Sequence, residues 1–280
     1  MNILVPVDFQ KTSFAAYEYA NNLAHELKAK ITLMHVIDAR LVYYESIGFE
    51  HLNSIKQTTY DRLQRFVNDV PREKDVRLKD VPLAYDVHFG VPGFTIASYI
   101  EDKDFDLIVI GVRDNLTLFN RMLGMTSTLV MNTVDIPMIL IHENTRYVKP
   151  EKVVFAFDDE GELEDAVDTF KYLNNQLKAT TQFVHVQQSD KESVTEQVDD
   201  IVEELMELKE PEFAFEIKTI RGKDVVKEIV DYCVFSKTDM LAMVHKKDNL
   251  LDRILNRSYS IQVANSLHLP ILVLPEDDDD

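Results

Sequence analysis

Short apolar runs alternate with amphipathic stretches along the first half of the chain. Apolar residues recur at helical spacing from Ala16 to Leu27, whereas the runs on either side of that stretch are apolar throughout. Strands of this kind, separated by helices, are typical of a parallel sheet covered on both faces. The pattern therefore predicts a doubly wound α/β domain with a five-stranded parallel sheet. The predicted elements are strand Ile3–Val7, helix Ala16–Leu27, strand Ile31–Ile37, a long polar helical region Tyr43–Asn68, strand Ala84–Phe89, helix Phe94–Ile100, strand Leu107–Ile110, helix Thr126–Thr133 and strand Pro137–Ile141.

The same pattern occurs a second time. The segment Leu23–Val36 reads LAHELKAKITLMHV, and Leu173–Val186, which begins 150 residues later, reads LNNQLKATTQFVHV. Further along each half the spacing shortens, so that Asp106 matches Asp239. A repeat of this length is too long for a solenoid and indicates a duplicated domain.

The second half predicts the same order of elements as the first. We divide the chain into a first domain of residues 1–143, a polar linker of residues 144–152, a second domain of residues 153–275 and an acidic, disordered tail of residues 276–280. The predicted strands of the second domain are Val153–Phe157, Thr181–Val186, Phe213–Ile220, Met240–Val244 and Ile271–Leu274, and its helices are Leu163–Leu177, Val194–Leu208, Val225–Cys233 and Tyr259–Ser266.

Composition narrows the class of protein. The chain has 280 residues and a formal net charge of −19, which disfavours nucleic acid as a partner. No apolar stretch reaches the roughly 20 residues that span a bilayer, so no membrane partner is expected. The start lacks the pattern of a signal peptide, and the single cysteine fits a reducing compartment, which together predict a cytoplasmic protein.

Candidate binding residues follow the predicted strands of the first domain. In an open parallel sheet, ligands bind beyond the carboxyl ends of the strands, where the strand order reverses. The residues at these ends are Pro6, Asp8, His35 and Val36, together with the segment Gly111–Thr128. That segment has two glycines between a strand and a helix, a position where backbone N–H groups bind phosphate.

Several of these motifs resemble the universal stress protein family (UspA type), and the likeness covers the whole chain up to the acidic tail. It implies two tandem domains with the adenine nucleotide alpha hydrolase-like fold. The matching motifs are VPVDF at Val5–Phe9, MHVID at Met34–Asp38, FDLIVIG at Phe105–Gly111, IPMILI at Ile136–Ile141, HVQ at His185–Gln187 and LPILVLP at Leu269–Pro275.

The resemblance also implies a phosphate loop, Gly-x2-Gly-x9-Gly-Ser/Thr, in nucleotide-binding members. In the first domain Gly111 and Gly124 match the first and third glycines, while Asp114 stands at the second. Side chains that can compensate for the lost glycine are Arg113, Arg121, Thr126 and Ser127. In the second domain none of the glycines is kept: the matching residues are Val244, Lys247 and Arg257, followed by Ser258.

By the same resemblance, Asp8 lies beside the adenine and ribose of a bound nucleotide, and the backbone of Val36 faces the adenine. ATP or ADP with magnesium is therefore an expected ligand of the first domain only, and no cofactor is expected in the second. We interpret Asp158, the match of Asp8, as a helix cap. His35 and His185 lack further ligands at metal-binding spacing and are interpreted as structural histidines, and Cys233 as a buried thiol.

Three functions stay open. The first is a non-enzymatic cytoplasmic stress protein whose halves form a pseudo-dimer by pairing Pro137–Ile141 with Pro270–Leu274, since family members dimerise through the last strand. The second is a nucleotide-dependent switch or slow ATPase confined to the first domain. The third is a binder of another small anion or lipid-like ligand, in a pocket lined by the aromatic residues of the region Arg40–Asp69. Ordinary helix packing explains the same stripe of aromatic residues. A homodimer is left open, and the sequence identifies no protein partner.

Overall fold

The computed structural model describes residues 1–41, 49–74, 77–112, 125–157, 160–187, 202, 206, 208–245 and 269–275. These residues divide into two compact units, the first ending at Tyr147 and the second beginning at Val148. Each unit is an α/β structure and is described by itself.

The first unit has a sheet of parallel strands in the order β3-β2-β1-β4-β5. The predicted fold class is confirmed. The elements are β1 (Asn2–Pro6), α1 (Lys11–Leu27), β2 (Lys30–Asp38), a 3₁₀ turn (Ala39–Leu41), α2 (Phe49–Lys74), β3 (Leu83–Gly90), α3 (Pro92–Glu101), β4 (Leu107–Val112), α4 (Met125–Met131) and β5 (Met138–His142).

The strand order reverses direction at β1. The chain steps outward from β1 through β2 to β3 and then returns to the other side of β1, where β4 pairs with it. Helix α1 contacts α2, and α3 contacts α4, as expected when the crossovers before and after the reversal cover opposite faces. The carboxyl ends of β1 and β4 therefore border the crevice in which α/β sheets bind ligands.

The second unit repeats this order as β8-β7-β6-β9-β10, again with parallel pairing. Its elements are β6 (Lys152–Phe157), α5 (Glu160–Leu177), β7 (Thr180–Gln187), β8 (Phe215–Arg221), α6 (Val225–Ser236), β9 (Met240–His245) and β10 (Ile271–Pro275). The predicted helix Tyr259–Ser266 lies outside the described residues. So does most of the predicted helix Val194–Leu208, of which Val202 and Met206 are helical and buried.

One helix boundary was predicted wrongly. The polar helical region was expected to end at Asn68, whereas α2 runs from Phe49 to Lys74. Proline lacks the N–H and clashes with the preceding turn of a helix, so Pro71 disfavours a helix that continues through it. Val70, completely buried, packs this end of α2 into the core and outweighs the proline. The predicted start at Tyr43 lies outside the described residues.

One aspartate in each unit links two neighbouring strands by hydrogen bonds, and the two aspartates occupy matching positions of the repeat. The backbone N–H of Asn2 donates to the Asp106 carboxylate at 2.6 Å, and the N–H of Asp106 donates to the Asn2 carbonyl at 3.0 Å. In the second unit the N–H of Lys152 donates to the Asp239 carboxylate at 2.9 Å, and the N–H of Asp239 returns a bond to the Lys152 carbonyl. We call this reciprocal pair of bonds the aspartate clasp. It joins the first strand of each unit to the start of the strand beside it.

Candidate functional site

The ends of β1 and β2 lie side by side in the first unit. Pro6 is buried and registers with Met34, and the N–H of Val7 donates to the Met34 carbonyl at 2.8 Å. Val36 lies two residues before the end of β2 and is 8% exposed. Two of the predicted site residues, Pro6 and Val36, are therefore brought together at one edge of the sheet.

Asp8 shapes the loop between β1 and α1. Its carboxylate accepts a hydrogen bond from the Gln10 N–H at 3.0 Å and one from the Ser13 hydroxyl at 2.5 Å. The Asp8 N–H donates in turn to the Ser13 Oγ at 2.9 Å. The exposed carboxylate thus orders the loop that leads into α1 and binds the hydroxyl of a residue in its first turn. Asp158, interpreted from the sequence as a helix cap, lies outside the described residues.

Gly111 lies in β4 directly against the first turn of α1. A Cβ atom at this position would lie 2.5 Å from the backbone carbon and oxygen of Thr12, a distance that no side chain tolerates. The first glycine of the predicted phosphate loop therefore has a packing role in this chain, because its missing side chain lets α1 approach the end of β4.

The rest of the predicted phosphate loop is only partly described. Thr126 and Ser127 occupy the first turn of α4, with Ser127 buried and Thr126 half-buried. Arg113 and Gly124 lie outside the described residues, as do Asp114 and Arg121. Of the matching positions in the second unit, Val244 is buried in β9 and the others lie outside the described residues.

His35 precedes Val36 in β2, and its side chain contacts the residue that follows β1. Its Nδ1 lies 2.6 Å from the carbonyl oxygen of Val7, and since a carbonyl only accepts, Nδ1 carries the proton. Burial lowers the pKa of His35; the nearby Arg62 guanidinium lowers it further, while the Val7 carbonyl and Asp8 act in the opposite direction. In the second unit, Nδ1 of His185 is buried and has no hydrogen-bond partner among the described residues.

The structure adds two residues that the sequence analysis did not place at the site. The Phe9 ring packs on His35 with ring centroids 4.6 Å apart, and the Arg62 guanidinium carbon of α2 lies 4.0 Å from the Phe9 ring centroid. Arg62 and Phe66 are four residues apart and share one face of α2, and Phe66 also contacts Phe9. The spacing of Arg62 and Phe66 was the only sequence signal that these two side chains lie together. No pattern in the sequence indicated which other element this face of α2 contacts.

Helix packing accounts for the buried aromatic residue of α2. Phe66 is 2% exposed, stacks on Phe14 of α1 at 4.8 Å and contacts Tyr17 at 5.9 Å. Leu63, on the same face, is completely buried. These contacts join α2 to α1, as ordinary packing requires.

Among the residues that the structure describes, no three His, Cys, Asp or Glu side chains cluster as metal ligands would. No helix that the structure describes is long and apolar enough to cross a membrane.

Comparisons with known proteins agree with this fold. The universal stress protein family matches residues 1–142. A universal stress protein of Methanocaldococcus jannaschii is 27% identical over 142 residues, which are 50% of this chain and 80% of that protein.

Two solved structures share the fold across both units. A universal stress protein from Archaeoglobus fulgidus has a TM-score of 0.72 at 16% identity, covering 98% of each chain. A functionally unknown protein from Pseudomonas aeruginosa has a TM-score of 0.55 at 14% identity, covering 99% of this chain and 93% of its own. Fold and site thus define a doubly wound α/β protein with its crevice beside β1. The chain belongs to the universal stress protein family.

Proposed function

We propose that this universal stress protein is a non-enzymatic cytoplasmic protein whose first unit binds a ligand at the carboxyl edge of its sheet. The supporting observation is that the ionisable side chains at this edge form hydrogen bonds that hold the structure. The carboxylate of Asp8 orders α1, and His35 donates to Val7 rather than to a neighbouring hydroxyl or thiol. An acid or base committed in this way is poorly placed to transfer a proton to a substrate.

A hydrolysis assay tests the non-enzymatic role. The full chain, incubated with millimolar ATP and magnesium, is expected to release no phosphate above the buffer rate over hours. Phosphate release that Asp8→Asn abolishes would show that the chain is an ATPase and would contradict the proposal.

For the ligand itself we propose an adenine nucleotide, ATP or ADP with its magnesium, in the first unit alone. The residues present fit such a ligand, because the Thr126 and Ser127 hydroxyls are donors for phosphate oxygens and the Asp8 carboxylate is an acceptor for ribose hydroxyls. The strand end at Val36 offers backbone groups to the base. The nucleotide supplies the phosphate charge and a planar base, and the protein binds and orients them.

Calorimetry and native mass spectrometry test the nucleotide proposal. We expect one ATP per chain, with Ser127→Ala weakening ATP more than adenosine because only ATP carries phosphate. Thr58→Ala, on the exposed surface of α2, serves as the control. No heat at millimolar ATP, together with no retained nucleotide in the native spectrum, contradicts the proposal.

We further propose that the two units form an intramolecular pseudo-dimer through β5 and β10. Each is the last strand of its unit's order and is apolar for most of its length. An apolar edge strand needs cover, because its free N–H and C=O groups otherwise pair with other chains.

Cleavage of the connection between the units tests the pseudo-dimer. A protease site inserted after the exposed Lys149 allows the folded full chain to be cut. The halves are expected to co-elute on gel filtration at the elution volume of the uncut chain. Halves that separate without denaturant would contradict the pairing, and elution at twice the mass would indicate a homodimer in addition.

A further inference from the structure

Three planar groups adjoin one another at the carboxyl edge of the first unit. The Phe9 ring packs on the His35 imidazole with centroids 4.6 Å apart and planes tilted by 40°, and the Arg62 guanidinium carbon lies 4.0 Å from the Phe9 centroid. Phe66 contacts Phe9 from the side, with ring planes at 74°. We call His35, Phe9 and Arg62 the edge stack.

The backbone at Phe9 is strained in order to place this ring. Its φ of 61° is in the left-handed region, which is uncommon for a residue with a side chain as large as phenylalanine. The hydrogen bonds of Asp8 to Gln10 and Ser13 hold the loop in this conformation. Strain of this kind, when local bonds maintain it, is characteristic of functional sites.

Arg62 is the outermost and exposed member of the edge stack. Among the described residues, Arg62 packs on the Phe9 ring and forms no ion pair with a carboxylate. The Phe9 ring orders the guanidinium before any ligand arrives, which lowers the entropic cost of binding.

We infer that Arg62, ordered on Phe9, is a base-stacking residue that contacts the nucleobase end of the ligand. This inference rests on the proposed nucleotide binding by the first unit. Guanidinium planes and aromatic rings stack on nucleobases, and the edge stack adjoins both Asp8 and Val36 in the chain. In the second half, Asp159 stands at the position that matches Phe9, so the ring is lacking there.

The test compares ligands that share a base and differ in phosphate. The Kd values of ATP, AMP and adenosine are measured by calorimetry for the full chain and its Arg62→Gln variant. Arg62→Gln is expected to weaken all three by a similar factor, about tenfold, the size of one lost base-stacking contact. Arg62→Lys is expected to behave in the same way, because an ammonium keeps the charge but lacks the plane.

Arg65 provides the matched control. It is exposed one turn further along α2 and donates to the Asp61 carbonyl in its own helix, so Arg65→Gln removes the same charge away from the stack. Its Kd values are expected to match those of the unchanged chain. Phe9→Leu, which removes the ring under Arg62, is expected to weaken adenosine as much as ATP.

Two outcomes overturn the inference alone while the unchanged chain binds nucleotide. One is an Arg62→Gln variant that binds like Arg65→Gln. The other is a loss that grows with the number of phosphates, which would make Arg62 a phosphate ligand. If the unchanged chain binds none of the three ligands, the proposed function fails and the inference fails with it.

Discussion

Two contacts fix the imidazole of His35 at the carboxyl edge of the first unit. Its Nδ1–H donates to the Val7 carbonyl, and the Phe9 ring packs on the imidazole ring. The sequence interpretation of His35 as a structural histidine agrees with these contacts. The sequence did not indicate that Phe9 would pack on His35 and Arg62 on Phe9, because the three residues come from separate elements and no local spacing relates them.

Protonation of His35 is expected to destabilise the first unit. Burial lowers its folded-state pKa below the ordinary value of 6.5, so the unfolded chain binds the proton more readily. The stability that the neutral imidazole contributes is constant above about pH 6.5. It is lost as the pH falls from there towards the folded-state pKa. Urea unfolding is therefore measured at about pH 7 and about pH 5. Between these two pH values His35→Asn, whose amide can replace Nδ1 as the donor to Val7, should lose less stability than the unchanged chain.

The exposed His51 provides the control for this experiment. The His51→Asn variant should lose as much stability on acidification as the unchanged chain. If His35→Asn does so as well, the imidazole is not held in its neutral form.

At the scale of elements, the alternation of apolar runs and helical stretches predicted the strands closely. The strand Leu107–Ile110 was predicted two residues short of β4, which continues through Gly111 to Val112. Gly111 was predicted to lie in the loop after this strand, and glycine inside a strand often marks a close approach of another backbone segment. The approach of α1, which requires glycine there, is a tertiary contact and leaves no local signal.

Replacement of Gly111 is expected to move α1 away from β4. The added methyl group of Gly111→Ala meets the Thr12 backbone, which cannot rotate aside, and we expect a loss of about 2 kcal/mol in the free energy of unfolding. Urea denaturation followed by circular dichroism measures this loss. Nucleotide binding, where present, should weaken in parallel because α1 carries the loop of Asp8.

Gly222 offers a matched glycine-to-alanine control. A Cβ atom there meets the side chain of Glu228, which is flexible and can turn aside. The Gly222→Ala variant should lose less than about 1 kcal/mol. A loss as small as this in Gly111→Ala would mean that the contact between α1 and β4 is not tight.

At the scale of the whole molecule, the duplication could be read from the sequence because its spacing is constant over long stretches. The aspartate clasp shows that part of the repeat has a common structural cause, since Asp106 and Asp239 make the same two bonds. The sites could be predicted less well. Their geometry depends on loops and on side chains from different elements, and the two copies differ most in those places.

Cys233 can report the opening of the second unit. Its thiol is buried, and burial raises its pKa to about 12, so the reactive thiolate is scarce in the folded chain. We expect a disulfide reagent at about pH 8 to label the native chain at least about 100-fold more slowly than the chain in urea.

An exposed thiol on the same helix is the control for this labelling. The Cys233→Ser/Phe235→Cys variant places a cysteine where the side chain is 85% exposed, and it should react at the rate of the unfolded chain. Native Cys233 that reacts as fast as this control would show that α6 does not pack as described.

The aspartate clasp has a consequence for synthesis on the ribosome. Asn2 and Asp106 are 104 residues apart, so β1, the first strand to be made, waits for its partner until most of the unit has been translated. At roughly 5–20 residues per second this delay is on the order of 5–20 s. During that time β2 can already pair with β1, but the side of β1 that β4 covers stays open. An open apolar edge of this kind is prone to pair with other chains until the strand beside it has been made.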